Sequence, residues 1–292
     1  MGELFLIVFS VITPLRDITD IAHLNPEISI LSVRNNVLKM YYSPSLFDIN
    51  EGKKVYFRFH ILSSPLYSDF LLYYTFIGYS YPFKKGVLSL NISQITFSER
   101  IYPYKPFKNS DFLINLSAGK EINKFTRIGI SGKIVYYSLT SPSMGGSECS
   151  LIYAPQTKIM TSTSTSFIFQ RFHILFSIDN LTLNGDFFEN SKFHTGISRE
   201  IKFSKNNSIL LTVEYVGIHQ ENKYLIIGGN LDIKNFLFIR GGYIINQTKE
   251  YTKKFSFEAI LSYKNFEIGF GFGRPFGSYY TELRKFSIVF KW

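Results

Sequence analysis

The feature that most constrains this chain is a period-two alternation of aromatic and polar residues, repeated strand after strand through its last forty residues. Phe286, Ile288, Phe290 and Trp292 fall on one face of the terminal segment, against Lys285, Ser287, Val289 and Lys291. Before it, Phe266, Ile268, Phe270 and Phe272 alternate with Glu267, Gly269, Gly271 and Gly273. One segment earlier, Phe255, Phe257, Ala259, Leu261 and Tyr263 alternate with Ser256, Glu258, Ile260 and Ser262. A period of two puts one set of side chains on each side of a sheet. A soluble sandwich also alternates, but here the apolar face is large and aromatic in successive strands. That pattern predicts a transmembrane barrel, whose strands turn an apolar, aromatic-girdled face to lipid.

Segment length strengthens the expectation. From residue 53 onward the pattern predicts strands at 53–60, 69–81, 86–98, 110–120, 126–137, 161–169, 172–180, 193–203, 207–217, 223–233, 236–246, 253–263, 266–274 and 281–292. Most exceed the ordinary globular strand of about 5–6 residues and suit the roughly 9–11 needed to cross a bilayer at a tilt. Short polar breaks separate several of them: Lys84-Lys85, Lys205-Asn206, Lys234-Asn235 and Lys264-Asn265. The expected fold is all-β: a transmembrane antiparallel up-and-down β-barrel of about 14 strands. Residues 138–160, with Pro142, Gly145-Gly146 and Pro155, read either as a long outer excursion with a short hairpin or as a hidden further strand.

The chain contains 20 Tyr and 30 Phe among 292 residues, which favours strands. It has no run of 18 or more apolar residues, so a helical membrane span is not expected. The net charge of +10 is spread over both halves of the chain and falls mainly between strands. Such a distribution suits solvated turns and anionic head groups better than nucleic acid, which calls for a concentrated basic patch. The single cysteine, Cys149, offers neither an internal disulfide nor metal-ligand spacing.

Three regions follow. Residues 1–13, with the apolar run Leu4 to Ile12 but no leading Lys or Arg, are read as a signal-peptide remnant, a buried first strand being the alternative. Residues 14–50 form an irregular N-terminal segment, a lumen element or a rim element. Within it Ser29 to Tyr42 suits a strand or a short helix, and Pro44 a turn. Residues 51–292 are the outer-membrane β-barrel.

If the apolar faces meet lipid, the charges that alternate with them must face inward, because Arg or Lys at mid-bilayer costs about 2–4 kcal/mol. The lumen-facing candidates are Arg127, Lys133, Glu214, Asp232, Arg240, Glu258, Glu267 and Lys285. They suit either a polar conduit or an ion-paired network filling a narrow lumen, with Arg240 and Asp232 expected to pair across the Lys234-Asn235 turn. Gly269, Gly271 and Gly273 leave room on the inner face for the N-terminal segment, a kinked neighbour or a passing molecule. No catalytic constellation emerges. A hydrolase needs a nucleophile beside a base, whereas His23, His60, His173, His194 and His219 read as ordinary polar or rim side chains. No cofactor or metal is expected, and the Gly-Gly pairs lack the strand–turn–helix context of a nucleotide loop.

Four stretches carry a resemblance. Tyr41-Tyr42-Ser43-Pro44-Ser45-Leu46 is similar to the YYNPAGL motif near the N-terminus of PorV/PorQ-type outer-membrane proteins, with Ser43 for Asn and no Gly. Leu175 to Leu181 resembles the family's apolar strand ending in Asn-Leu-Gly, with Thr182 where Gly would stand. Arg240-Gly241-Gly242-Tyr243 resembles its R-x-G-Y strand, and Arg274-Pro275-Phe276-Gly277 with Leu283 to Trp292 its penultimate loop and closing strand. The family is related to FadL-type transport barrels, and the patchy similarity spans roughly 40–292. The resemblance implies a barrel of about fourteen strands in the outer membrane of a double-membraned bacterium. It also implies passive transport of small hydrophobic molecules or, alternatively, scaffolding and docking in protein secretion or surface assembly. The expected partners are outer-membrane lipid, the barrel assembly machinery, and small hydrophobic molecules or secretion-system proteins, with no nucleic acid. A soluble or periplasmic β-rich binding module is the third alternative.

Overall fold

The computed structural model describes residues 30–33, 36–63, 70–99, 107–137, 140–143, 150–153, 156–188, 191–218, 223–246, 253–276 and 282–291. The signal-peptide reading of residues 1–13, together with His23, His219 and Cys149, lies outside them.

The strands are β1 (Lys54–Ser63), β2 (Phe70–Phe83), β3 (Gly86–Glu99), β4 (Phe107–Asn123), β5 (Thr126–Tyr137), β6 (Thr140–Ser143), β7 (Ser150–Tyr153) and β8 (Gln156–Phe169). They continue with β9 (Phe172–Thr182), β10 (Lys192–Ser204), β11 (Asn207–Ile218), β12 (Lys223–Ile233), β13 (Leu237–Asn246), β14 (Lys253–Tyr263), β15 (Phe266–Phe276) and β16 (Glu282–Lys291). Among the described residues, all but β6 and β7 form one closed antiparallel barrel of fourteen strands, sealed where β1 pairs with β16. The sequence reading located every one of these barrel strands. The largest extensions beyond the expected spans are in β4, which reaches Phe107 and Asn123, and β8, which starts at Gln156. β6 and β7 pair only with each other, so the 138–160 region holds the short hairpin and not a fifteenth wall strand.

The alternation has the physical outcome expected of it. Leu116, Ile130 and Phe270 point outward at about 60% exposure, while their neighbours Ser117, Ser131 and Gly269 are buried. Outward apolar residues run round the wall, among them Ile77, Leu90, Ile92, Ile114, Phe176, Val213, Phe257 and Phe290. A continuous exposed apolar band of this kind needs lipid around it, which disfavours the soluble module. Within the described residues no helix is long and apolar enough to cross a membrane.

The tight turns between β2 and β3, β4 and β5, β8 and β9, β10 and β11, β12 and β13, and β14 and β15 gather at one end of the barrel. Lys234, Asn235 and Lys264 adopt positive φ of 54°, 54° and 50° in two of them. The longer connections gather at the other end, with the β6–β7 hairpin among them.

Inside lies the described part of the N-terminal segment: a 3-10 turn at Ile30–Ser32, then helix α1 (Asn36–Tyr42). The short-helix option for Ser29 to Tyr42 is the one adopted. α1 ends where the Ser43 N–H donates to the Lys39 carbonyl, and Pro44-Ser45 turn the chain toward β1. α1 packs on β1, β2, β3 and β4, and the 3-10 turn on β10, β11 and β12. Leu31, Val33, Val37, Leu38, Met40, Tyr41, Tyr42, Leu46 and Phe47 are all buried. They bury apolar surface against inward-facing Tyr56, Phe76, Leu113, Val135 and Leu175. The described part of the segment therefore lies within the lumen.

Candidate functional site, a plugged and stratified lumen

Glycine positions on the inner wall show how closely the plug approaches. A Cβ at Gly78 would overlap Val37 Cγ1, and one at Gly119 or Gly129 would overlap Phe47 or the Pro44 main chain. At Gly196 it would press on Leu31 and Glu214. Gly269, expected to leave room, instead admits the neighbouring Ser287 and Glu258 side chains of its own wall.

The plug is held at several levels. The Glu214 carboxylate accepts the Leu31 N–H (3.0 Å), and on the other oxygen meets His194 Nε2 (2.8 Å). Ser117 Oγ donates to the Met40 carbonyl (3.0 Å), the Ser45 N–H to Ser164 Oγ (2.7 Å), and Ser166 Oγ to the Ser45 carbonyl (3.1 Å). At the tight-turn end the Arg127 guanidinium donates to the Phe47 carbonyl, lies over the Phe47 ring and sits 3.8 Å from Glu121. Beside it Glu51 joins Lys54 (2.8 Å) to Lys39 (3.9 Å). Burial pushes the Lys39 ammonium below its usual pKa, against the pull of Glu51 and Asp48.

The wall itself is stratified. Its middle carries small polar groups: Ser80, Ser89, Asn91, Ser93, Asn115, Ser131 and Ser162 are buried and inward. Nearer the long connections inward apolar residues face one another across strands: Tyr74 opposite Ile95, Leu113 opposite Val135, Val216 opposite Tyr224, and Ile226 opposite Ile244. Buried His60, Asp111, Lys192 and His194 stand among them, so the loop end of the lumen sets apolar pairs beside isolated polar groups.

The eight lumen candidates separate into several arrangements. Arg127 and Glu214 bind the plug. Lys133 is buried and donates to Asn180 Oδ1 at 2.7 Å. Arg240 and Glu258 form a buried ion pair, with side chains 5% and 1% exposed. Glu267 pairs with Lys291, and Ser262 Oγ is 3.4 Å from both. Asp232 is half-buried and accepts the Asn235 N–H at 3.0 Å. Lys285 sits in register opposite His60 and Gly271, but its side chain lies outside the described residues. Arg240 is thus engaged by Glu258 of β14, a partner the sequence reading did not set against it. Register puts Glu258 directly across from Arg240 on one side and Asn230 on the other, while Asp232 opposes Phe238 and caps the turn.

Sequence reasoning passed over several inward groups. Arg58 is buried, donates through Nε to the Tyr56 hydroxyl (2.7 Å) and lies over that ring. His60 and His194 are buried wall residues, not rim side chains. Asp179 and Asn180 are buried at a β-bulge, where two residues of β9 face Ser162 alone and Asn180 takes φ of 59°. Parity could have found Arg58, His60 and His194, since each alternates with outward apolar neighbours. Two consecutive polar residues at Asp179-Asn180 were the signal for the bulge.

No protein-family model matches the chain, and no curated protein sequence matches it. Solved structures do. The monoaromatic hydrocarbon channel CymD aligns over 95% of this chain and 94% of its own, at 9% identity and a TM-score of 0.59. The toluene transporter TbuX of Ralstonia pickettii aligns over 90% and 99%, at 12% identity and 0.59. The P. putida toluene transporter TodX aligns over 88% and 93%, at 10% identity and 0.56. At these identities the likeness establishes the fold alone, a closed antiparallel barrel, and no sequence match supports the PorV/PorQ part of the resemblance.

Proposed function

We propose that this protein is an outer-membrane barrel that passes small hydrophobic molecules passively, with the N-terminal segment as a displaceable plug. The observation that carries the reading is the set of apolar pairs near the loop end of the lumen, with a few polar groups among them, which meet a plug held only by noncovalent contacts. Apolar pockets with a few placed polar groups are what small hydrophobic ligands require. The tight-turn end then faces the periplasm and the long connections the outside, as in barrels of this class. The fold shared with CymD, TbuX and TodX, themselves described as hydrocarbon channels or toluene transporters, supports the same reading.

A disulfide between Ser45→Cys and Ser164→Cys, in a Cys149→Ser background, joins the plug to the wall where they already bond. Cells carrying the oxidised protein should lose uptake of toluene and regain it on reduction. Unchanged uptake in the locked state would mean that the plug does not gate the path, and no uptake through the native protein would remove the conduit itself. The docking alternative has one observation in its favour, the β6–β7 hairpin at the long-connection end. Deleting residues 140–153 separates the two, since transport tolerates the loss and docking does not.

A further inference from the structure

The strands β5, β8, β9, β10 and β11 bring a group of ionisable and polar side chains to one part of the inner wall. Lys133, Ser162, Ser177, Asp179, Asn180, Lys192, His194 and Glu214 are all buried there. Register sets His194 beside Ser177 and Lys192 beside Asp179, so Asp179 and His194 are diagonal neighbours on adjacent strands. Most of the polar valences around them are committed. Lys133 Nζ donates to Asn180 Oδ1 (2.7 Å), the Asn180 N–H to Ser162 Oγ (3.1 Å), and Ser177 Oγ to Asp179 Oδ2 (2.8 Å). His194 Nε2 is taken by Glu214 (2.8 Å). Two atoms are left over: Asp179 Oδ1 and His194 Nδ1 are buried and have no hydrogen-bonding partner. Their residues are 3% and 0% exposed.

A buried carboxylate oxygen without a partner is among the costliest groups to leave unsatisfied, and such atoms mark the place of something that satisfies them. The surroundings restrict what that is. Leu175, Met160 and Val135 of the same strands, with Leu31 and Val33 of the plug, form one buried apolar cluster. The described residues contain no group of His, Cys, Asp and Glu able to hold a metal ion.

We propose that Asp179 and His194 form a polar subsite for the hydroxyl group of an amphipathic small molecule, an alcohol or phenol, whose apolar body lies on the adjoining cluster. The hydroxyl donates to Asp179 Oδ1, which can only accept. Its oxygen meets His194 Nδ1, the ring nitrogen turned away from Glu214. The bulge sets Asp179 and Asn180 opposite Ser162 alone, both buried, so that Lys133 is engaged by Asn180 while Asp179 Oδ1 stays without a partner. This inference rests on the conduit reading and narrows it. The substrates that dwell in the lumen carry one hydrogen-bond donor; a pure hydrocarbon leaves the Asp179 oxygen bare.

The test compares 4-fluorobenzyl alcohol with 4-fluorotoluene by fluorine NMR on the full-length protein in detergent micelles, with empty micelles as the partition blank. The native protein should bind the alcohol roughly tenfold or more tightly, the effect of one hydrogen bond to a charged group. Asp179→Asn and His194→Gln should each erase most of that preference while leaving 4-fluorotoluene binding unchanged. Equal affinity of the native protein for the two probes would overturn the subsite, as would variants that weaken both alike. Either result is obtained even if one variant fails to fold, because the native preference alone decides the first. Binding of neither probe would instead fall on the conduit reading, whereas 4-fluorotoluene binding without preference would leave the conduit standing and remove only the subsite.

Discussion

The Arg240–Glu258 pair offers the sharpest test of how the lumen is held. Both side chains are nearly inaccessible, at 5% and 1%, so the salt-screened value of a surface pair does not apply. Removing one partner of a buried pair strands the other charge, at a cost of about 3–5 kcal/mol. Arg240→Met should therefore destabilise the barrel by about that amount, with the Glu258 carboxylate left facing Gly271 and Asn230 sitting across from the lost guanidinium. Glu258→Leu should do the same from the other side. The double variant removes both charges and keeps apolar volume, so its loss should fall short of the summed single losses by at least ~2 kcal/mol. Reversible guanidinium unfolding in lipid vesicles, followed by circular dichroism, measures the cycle. Glu267→Gln is the internal control: its carboxylate pairs with Lys291 near barrel closure, so it should add independently to Arg240→Met. Coupling below ~0.5 kcal/mol for Arg240 with Glu258, or coupling of equal size with Glu267, would refute the register-based argument.

Membrane integration predicts that the folded protein needs detergent for extraction and migrates faster on a gel before boiling than after; quantitative partition into the aqueous phase as a folded monomer contradicts it. Because Phe290 and Lys291 lie in register with Val55 and Lys54 at barrel closure, deleting Lys291 and Trp292 should leave unassembled protein in the periplasm, which fractionation would show. Gly78→Val should cost about 1–3 kcal/mol by overpacking against Val37. Its signature is proteolysis of the N-terminal segment at protease levels that spare the native protein, with the heat-modifiable barrel intact.

The wall was legible because a single variable, the parity of each residue along its strand, decides whether it meets lipid or lumen. Phe270 and Gly269, or Ile130 and Ser131, are adjacent in the chain and opposite in environment, and the bilayer enforces that contrast wherever the strand crosses it. Who meets whom inside is a different question. Asp232, Glu258 and Arg240 share the inner face, and parity alone does not say that Arg240 meets Glu258; the β13–β14 register, which sets the two opposite each other, does. The bulge at Asp179-Asn180 breaks parity locally, so a strict two-residue rule misplaces one of that pair. Of the two options open to His194, an ordinary polar side chain or a rim one, the structure adopts the first: β10 begins at Lys192 and the ring lies within the wall.

The plug was hard to read for a further reason, visible in its hydrogen bonds. The wall side chains Glu214, Ser164, Ser166, Ser117 and Arg127 engage the plug at Leu31 N, Ser45 N, Ser45 O, Met40 O and Phe47 O, which are main-chain atoms. Main-chain groups are present at almost every residue, so these bonds place few demands on which side chains the segment carries. What its side chains must supply is buried apolar bulk, and Leu31, Val37, Leu38 and Met40 supply it without a strand period or a long helical one. The specificity of docking is instead written on the wall, in small residues that admit the chain. Gly78, Gly119, Gly129 and Gly196 lie on four different strands, and each is an inner-face position that a Cβ would close to the plug. A segment recognised through its backbone and its bulk can move past a belt of serine hydroxyls by exchanging one main-chain partner for the next. That is the physical property a displaceable plug requires.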